Sequence, residues 1–419
     1  MIDFKYLVTS ALPYVNNELH LGHLISSLLP ADVYSRFLKL RGDECIYVCG
    51  TDEYGTAIAV EAEKQKMKPL ELANKYHEIQ KKITEDFNLK LDIFSRTSAP
   101  EHTTTTQGVY ELIKSNDYIY NKKVKQLYCE NCKRFLPDRY VKGECPHCGY
   151  GEARGDQCEK CGKLLEPIEL IKPKCVACRK KPVEKENEHV FFRLSKLSEK
   201  LASWVDGNKH WPPNARNFAL SWAKAGLEDR DISREMEWGV PIPDFPGNVF
   251  YVWFDAPIGY ITFSKQIGKE KWWSDSDTRI VHFMGKDNIA FHTIFFPGML
   301  MAAGGFTLPY HVASYEFLDY QGKKFSKSKG VGIFCGDAIS LYPADYWRYY
   351  LIASLTEHRD ADFTWEDFQN RINNDLNDVL GNFIHRTLTF TDSKFEGVVP
   401  KPGKMDELDK KFEESITEI

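Results

Sequence analysis

Runs and periods of apolar residues divide the chain before any motif is considered. Phe4 to Ala11 is a short apolar run closed by Pro13, Asn16 and Asn17, and it reads as a buried strand. Asn16 and Asn17 can start a helix from about Glu18 to Leu40, with a bend at Pro30. Cys45 to Cys49 is a second apolar strand, ended by Gly50 and followed by a helical stretch from about Thr56. Strand, helix, strand in this order opens a parallel, doubly wound α/β sheet. Hydrophobic periodicity then fades between Tyr128 and Lys181, where cysteine, glycine, proline and lysine dominate. Alternating α/β patterning returns by Val190, with another inner strand at Thr278 to Met284 and a helix around Ile289 to Ala302. Beyond Trp365 the residues Phe368, Ile372, Leu376, Val379, Leu380, Phe383, Ile384 and Leu388 recur at helical spacing along one face.

The aperiodic stretch carries four Cys-x-x-Cys pairs: Cys129/Cys132, Cys145/Cys148, Cys158/Cys161 and Cys175/Cys178. Each pair supplies half of a tetrahedral zinc site, so four pairs make two closed structural sites. Nested pairing is expected, the outer pairs sharing one ion and the inner pairs the other. Gly149 and Gly162 directly follow their second cysteines, where a knuckle turn needs positive φ. A closed site leaves no coordination position for chemistry, so the metal holds an insertion too small to core itself. By itself the cluster also fits a zinc-ribbon nucleic-acid binder. Cys45, Cys49 and Cys335 lack such spacing and read as ordinary buried residues.

The chain of 419 residues is 42% hydrophobic and 13% aromatic, enough for real cores. Its net charge of -5 argues against a uniformly basic nucleic-acid coat but not against a local basic groove. No secretory signal is visible, and no stretch reaches the roughly 18–20 apolar residues that span a bilayer. The expectation is a soluble, cytoplasmic protein without a membrane partner, whose cysteines stay reduced.

Candidate chemistry lies at two places. His20-Leu21-Gly22-His23 follows the first strand, so both imidazoles stand at the positive end of a helix, which attracts phosphate. Gly22 lets a nucleotide approach the backbone. Far along the chain, Lys324-Phe325-Ser326-Lys327-Ser328-Lys329 is a cationic loop. Together the two elements can clamp a triphosphate from two sides and stabilise charge that builds up in nucleotidyl transfer.

These elements resemble the HIGH and KMSKS signatures of class I aminoacyl-tRNA synthetases, with Phe325 in place of the usual methionine. Neighbouring segments narrow the resemblance to the methionyl-tRNA synthetase family: Ala11-Leu12-Pro13-Tyr14-Val15-Asn16, the run Tyr251 to Tyr260 (YVWFDAPIGY), Asp231-Ile232-Ser233-Arg234, and Gly285-Lys286-Asp287-Asn288 with Phe291-His292. The resemblance runs from about Tyr6 to Arg386. It implies a Rossmann-like sheet with an inserted zinc-knuckle domain and a C-terminal helical segment. It also implies that methionine is activated with ATP and Mg and passed to tRNA(Met). Asp52 would hold the substrate ammonium, and Leu12, Tyr14, Trp253, Ala256, Pro257, Tyr260 and His292 would wall its side chain. His20, His23, Gly285, Asp287 and Lys327 would bind ATP, with Lys324 and Lys327 stabilising the transition state. Arg234 would bind phosphate or the tRNA end.

The implied domains are 1–115 and 191–314 for the two catalytic halves and 116–190 for the insertion. Residues 315–372 would form the loop and stem-contact region, and 373–419 the start of an anticodon-binding bundle. The bundle is expected to be incomplete, since an amphipathic segment with Leu408, Phe412 and Ile416 stops at Ile419 without a capping signal. Methionine activation should then survive while tRNA charging is impaired. Another class I synthetase, for leucine or cysteine, and a synthetase-like RNA-binding scaffold are the rival readings. Any dimer or multi-synthetase partner is unknown.

Overall fold

A computed structural model of the chain describes residues 4–417, apart from Gln157, Glu159, Gly162, Leu164 and 326–330. Contacts divide the chain into two units, residues 1–362 and 363–419.

The first unit is built on five parallel strands: β1 (Lys5–Ser10), β2 (Cys45–Thr51), β3 (Ile93–Arg96), β6 (Thr278–Gly285) and β7 (His311–Tyr315). Their order is β7–β6–β1–β2–β3. The central strands are almost wholly buried, which is why each reads as a continuous apolar run rather than an alternation. β1, first in the chain, lies in the middle with β2 on one side and β6 on the other. The winding therefore reverses between β1 and β6. In such sheets a crevice opens outside the carboxyl ends of the strands at that reversal.

The first helix, α1, departs from its expected start. Asn17 Oδ1 accepts from the Glu18 amide at 2.8 Å, and the N-cap is His20. The helix runs as Leu21–His23, a π-helical turn Leu24–Leu28 and a final segment Leu29–Arg41, stopped by Gly42 at φ 92°. Pro30 falls in the first turn of that last segment. The wider turn before it accommodates the missing N–H that a regular helix would require. A second π turn, Phe291–Phe295, precedes Phe296–Ala303.

The insertion leaves the sheet on a long antiparallel ribbon, β4 (Ile119–Cys129) with β5 (Val183–Phe192), paired from Ile119↔Phe192 to Tyr128↔Val183. Beyond its tip, a small core of Leu127, Leu136, Val141, Ala153 and Leu170 gathers the cysteines. The second unit is helical, with Trp365–Arg371, a π-helical stretch Ile372–Gly381, Asn382–Phe395 and Glu407–Thr417. Its apolar residues Val379, Leu380, Phe383, Ile384 and Leu388 are exposed. Among the described residues, no helix is long and apolar enough to cross a membrane.

Candidate active site

Many of the residues singled out for substrate and nucleotide lie just beyond the carboxyl ends of the parallel strands or in helical segments joined to them. Leu12 and Tyr14 follow β1, Asp52 follows β2, Gly285 ends β6 and Asp287 lies in the short turn Lys286–Asn288 after it. Trp253 to Tyr260 and His292 come from helical segments nearby: Tyr14 is bonded to Trp253 and Tyr260 to His292.

His20 and His23 cap their own helix. The Gly22 amide donates to His20 Nδ1 at 3.1 Å, and the His20 amide donates to His23 Nδ1 at 3.2 Å. With each Nδ1 accepting, the neutral tautomer carries its proton on Nε2. Burial lowers the His20 pKa to about 2, with neighbouring His23 adding to the effect. Burial lowers His23 to about 4, against the pull of the His20 backbone. Both rings are therefore uncharged donors at neutral pH. Gly22 has an unforeseen role here: a Cβ on it would lie 2.8 Å from the His20 ring.

The second motif comes back to the first. Phe325 stacks on His20, with centroids 4.7 Å apart and planes 14° apart, and the His20 and His23 ring centroids are 3.9 Å apart. Gly332, at φ 122°, makes room: a Cβ there would come within 2.2 Å of the Phe325 ring. The following residues tie down beside the histidines through Leu21 N–H to Ile333 O at 3.3 Å and Cys335 N–H to Leu19 O at 2.9 Å. Lys324 lies near the Phe317 ring, its Nζ 5.4 Å from the centroid. Lys327 lies outside the described residues, as do Ser326, Ser328 and Lys329. Phe325 was legible only as a departure from the usual methionine; its flat ring was the signal.

Asp52 is pinned by its backbone, with its N–H donating to Pro13 O at 2.9 Å and its carbonyl accepting from Val15 N–H at 3.2 Å. The residue is 4% exposed, and Oδ1 has no hydrogen-bond partner among the described residues. Burial raises its pKa well above the carboxylate range, and Asp255 raises it further. Asp255, from the same run as Trp253, is fully buried with neither carboxylate oxygen hydrogen-bonded. His102 Nε2 stands 3.5 Å from it. A charged residue inside an apolar run was the signal for it.

The aromatic wall satisfies its own polar atoms. The Trp253 indole N–H donates to Tyr14 Oη at 3.2 Å, and Phe291 meets the Trp253 ring at 4.3 Å. Tyr260 O–H and His292 Nε2 are 2.8 Å apart, and His292 Nδ1 bonds the Asn288 carbonyl at 3.0 Å. The carbonyl can only accept, so Nδ1 carries the proton and Tyr260 donates to Nε2. Burial holds the His292 pKa at about 4, so this ring is neutral too. Pro257 is buried, and Ala256 packs against the core.

Arg234 departs from expectation. Its guanidinium is committed to Asp138, with Nε at 2.9 Å and Nη2 at 3.0 Å, and to Asp231 at 3.1 Å. A cation so buried and so paired is committed to these carboxylates rather than presented to a phosphate or a tRNA end.

The eight cysteines gather in the nested arrangement, Cys129, Cys132, Cys175 and Cys178 in one cluster and Cys145, Cys148, Cys158 and Cys161 in the other. Sulfur pairs lie 3.4, 3.9, 3.9 and 3.6 Å apart. Those are far beyond a disulfide, and close to the tetrahedral edge of about 3.8 Å implied by metal–sulfur bonds of ~2.3 Å. Gly149 takes φ 70° as expected, and Lys133 and Arg179 take φ 52° and 61° after their own pairs. Gly162 lies outside the described residues. A cavity of about 470 Å³ separates the insertion from the catalytic body, lined by Asp138, Glu166, Arg234, Tyr251 and Trp253 among others.

Known proteins share this architecture. The profile of the family described as tRNA synthetases class I (M) matches residues 6–388. A methionine–tRNA ligase of Methanopyrus kandleri is 47% identical over 98% of this chain and 63% of its own length. A probable cytoplasmic methionine–tRNA ligase of Dictyostelium discoideum is 45% identical over 98% of this chain and 58% of its own length. The chain thus spans about three fifths of these curated relatives. Among solved structures, a Mycobacterium tuberculosis methionyl-tRNA synthetase in complex with methionyl-adenylate is similar, with a TM-score of 0.80. That match has 27% identity and covers 98% of this chain and 76% of that one.

Proposed function

The chain belongs to the class I tRNA synthetase family of the (M) type, and from that premise we propose that it adenylates L-methionine with ATP and passes the methionyl group to tRNA(Met). The observation that carries this reading is the pairing of a buried carboxylate, Asp52, whose Oδ1 has no hydrogen-bond partner among the described residues, with an aromatic wall in which Trp253 and Tyr260 spend their polar atoms on Tyr14 and His292. The carboxylate calls for an ammonium group. The wall calls for a side chain that is polarizable and makes no hydrogen bond, as a thioether is. A substrate bearing a hydroxyl would leave it unpaired against satisfied groups, which disfavours it.

In the first step a carboxylate oxygen of methionine attacks the α-phosphorus of ATP, the bond to the β-phosphate breaks, and pyrophosphate leaves with its electron pair. The neutral Nε2–H groups of His20 and His23 donate to the phosphates, and Lys324 and Lys327 stabilise the charge that develops. Gly285 and Asp287 hold the adenosine side. Mg bound to ATP would supply further neutralisation. In the second step a ribose hydroxyl of the terminal adenosine attacks the activated carbonyl, the carbonyl–phosphate bond breaks, AMP leaves with the electron pair, and the hydroxyl proton passes to its phosphate. No covalent enzyme intermediate is required, because orientation and charge stabilisation suffice.

The two four-thiolate clusters fit zinc in tetrahedral, closed sites whose role is to hold the insertion. Residues 116–190 serve as that insertion, between catalytic halves 1–115 and 191–314. Residues 315–372 serve as the loop and stem-contact region, and 373–419 as part of an anticodon-reading bundle. The protein works in the cytoplasm. Amino-acid-dependent exchange of labelled pyrophosphate into ATP, run against a panel of amino acids, tests the reading. Methionine alone should support rapid exchange; equal exchange with leucine or cysteine would overturn it.

A further inference from the structure

We infer that Asp138, a residue of the insertion, positions the methionine pocket by fixing Arg234 against Tyr251 and through it Trp253; the inference rests on the methionine reading above. Asp138 opens a single 3-10 turn, Asp138–Tyr140, with φ 45°. The Gly155 amide donates to its carbonyl at 3.1 Å, and a Cβ on Gly155 would lie 2.8 Å from that oxygen. A non-glycine residue persists in such a conformation only where its surroundings over-determine it. The conformation aims both carboxylate oxygens at Arg234 across the boundary between insertion and body.

Every nitrogen of that guanidinium is held. Asp138 takes Nε and Nη2, while Nη1 donates to Ser233 O at 2.8 Å and meets Asp231 at 3.1 Å. Burial works against the Arg234 charge, and Asp138 and Asp231 more than offset it, so its pKa is raised. The plane so fixed lies 4.1 Å from the Tyr251 ring centroid. Tyr251 in turn lies 5.0 Å from Trp253, whose indole N–H donates to Tyr14. An unbroken line of contacts thus joins the insertion to the pocket wall. With the Asp138 charge removed, Asp231 remains as a competing anchor. The guanidinium then shifts toward Asp231, and the packing of Tyr251 on Trp253 loosens. The consequence falls on the fit of the substrate side chain and spares the phosphate motifs.

Asp138→Asn is the incisive variant, because asparagine tolerates left-handed backbone as aspartate does. It keeps the turn and removes the charge. Methionine-dependent pyrophosphate exchange should give a KM for methionine raised about 3- to 30-fold, the range for a residue coupled through contacts. Discrimination against shorter and branched analogues should fall. The KM for ATP and kcat should stay within about 2-fold, with zinc content unchanged. Arg234→Lys, which keeps the charge but not the planar fork, should shift the methionine KM in the same direction. An unaltered methionine KM, or a parallel rise in the ATP KM, overturns the inference. Should Asp138→Asn lose its zinc or its fold, Tyr251→Leu tests the same line from the body side. The same methionine-specific rise supports the line, and an unchanged methionine KM sinks it. Absence of methionine-dependent exchange in the unaltered chain would instead overturn the functional reading, and this inference with it.

Discussion

Replacing Asp52 by asparagine separates a binding role from a structural one, because the two predict opposite signs for stability and function. Asp52 is 4% exposed, its Oδ1 has no hydrogen-bond partner among the described residues, and burial with nearby Asp255 raises its pKa. A carboxyl whose folded pKa exceeds its unfolded value contributes stability only at low pH. That contribution is lost as pH rises through the folded pKa, so near neutrality Asp52 is a liability to the fold. Asparagine is nearly isosteric and uncharged, so Asp52→Asn should melt no lower than the parent chain. For binding, the substrate ammonium loses a buried, charge-assisted partner. Removing one side of such a pair costs about 2–5 kcal/mol, or roughly 30- to 5,000-fold in affinity. Part of this is offset, because the raised pKa makes the carboxyl expend free energy to ionise before it can pair. We therefore expect the lower end, a KM for methionine raised on the order of 10²-fold, with the KM for ATP unchanged. The same linkage makes methionine bind more tightly to the parent chain as pH rises through the Asp52 pKa. Pyrophosphate exchange at varied methionine, with thermal melts alongside, measures both quantities. A methionine KM within about 3-fold of the parent, or a marked drop in melting temperature, would refute the assignment.

Phe325→Ala should raise the KM for ATP or lower kcat by about 3- to 10-fold, the worth of one aromatic stack, and leave the methionine KM unchanged. Gly332→Ala, which drives a methyl into that ring at a positive φ, should act in the same direction; unaltered ATP kinetics in both would remove the stack from the mechanism. Histidine ¹⁵N NMR should find His20 and His23 neutral and protonated on Nε2 down to about pH 5, since burial depresses both pKa values. Because those folded values lie below the unfolded one, the fold loses stability as pH falls from about 6.5 toward 4; titration of either ring near 6.5 would contradict this. Metal analysis should return two zinc ions per chain and about one in Cys145→Ser, and equal loss from both sites would show that the clusters are not independent.

Much of this was legible because the signals are local. β1, β2 and β6 are central strands buried on both faces, so each appears as an uninterrupted apolar run. The cysteine pairs declare their chemistry by spacing, and the nested clustering follows from the short inner loop. What escaped depends on residues far apart in the chain. Asn16 and Asn17 point to a start of α1 there because their side chains are common caps. The imidazole of His20 serves instead, over a glycine that leaves it room. Arg234 looked available because no sequence pattern marks Asp138, 96 residues earlier, as its partner. Phe325 looked like a conservative replacement until its ring met His20. The apolar face of 372–388 was periodic as read, yet a period says nothing about what covers it.

The most direct measurement of the central claim is the identity of the bound product. The chain, incubated with ATP and an equimolar mixture of the twenty amino acids and then desalted, should carry one aminoacyl-adenylate by mass spectrometry. The account predicts methionyl-adenylate, formed only when ATP is present and strongly reduced in Asp52→Asn. A different adenylate, a mixture without preference, or none at all would contradict it.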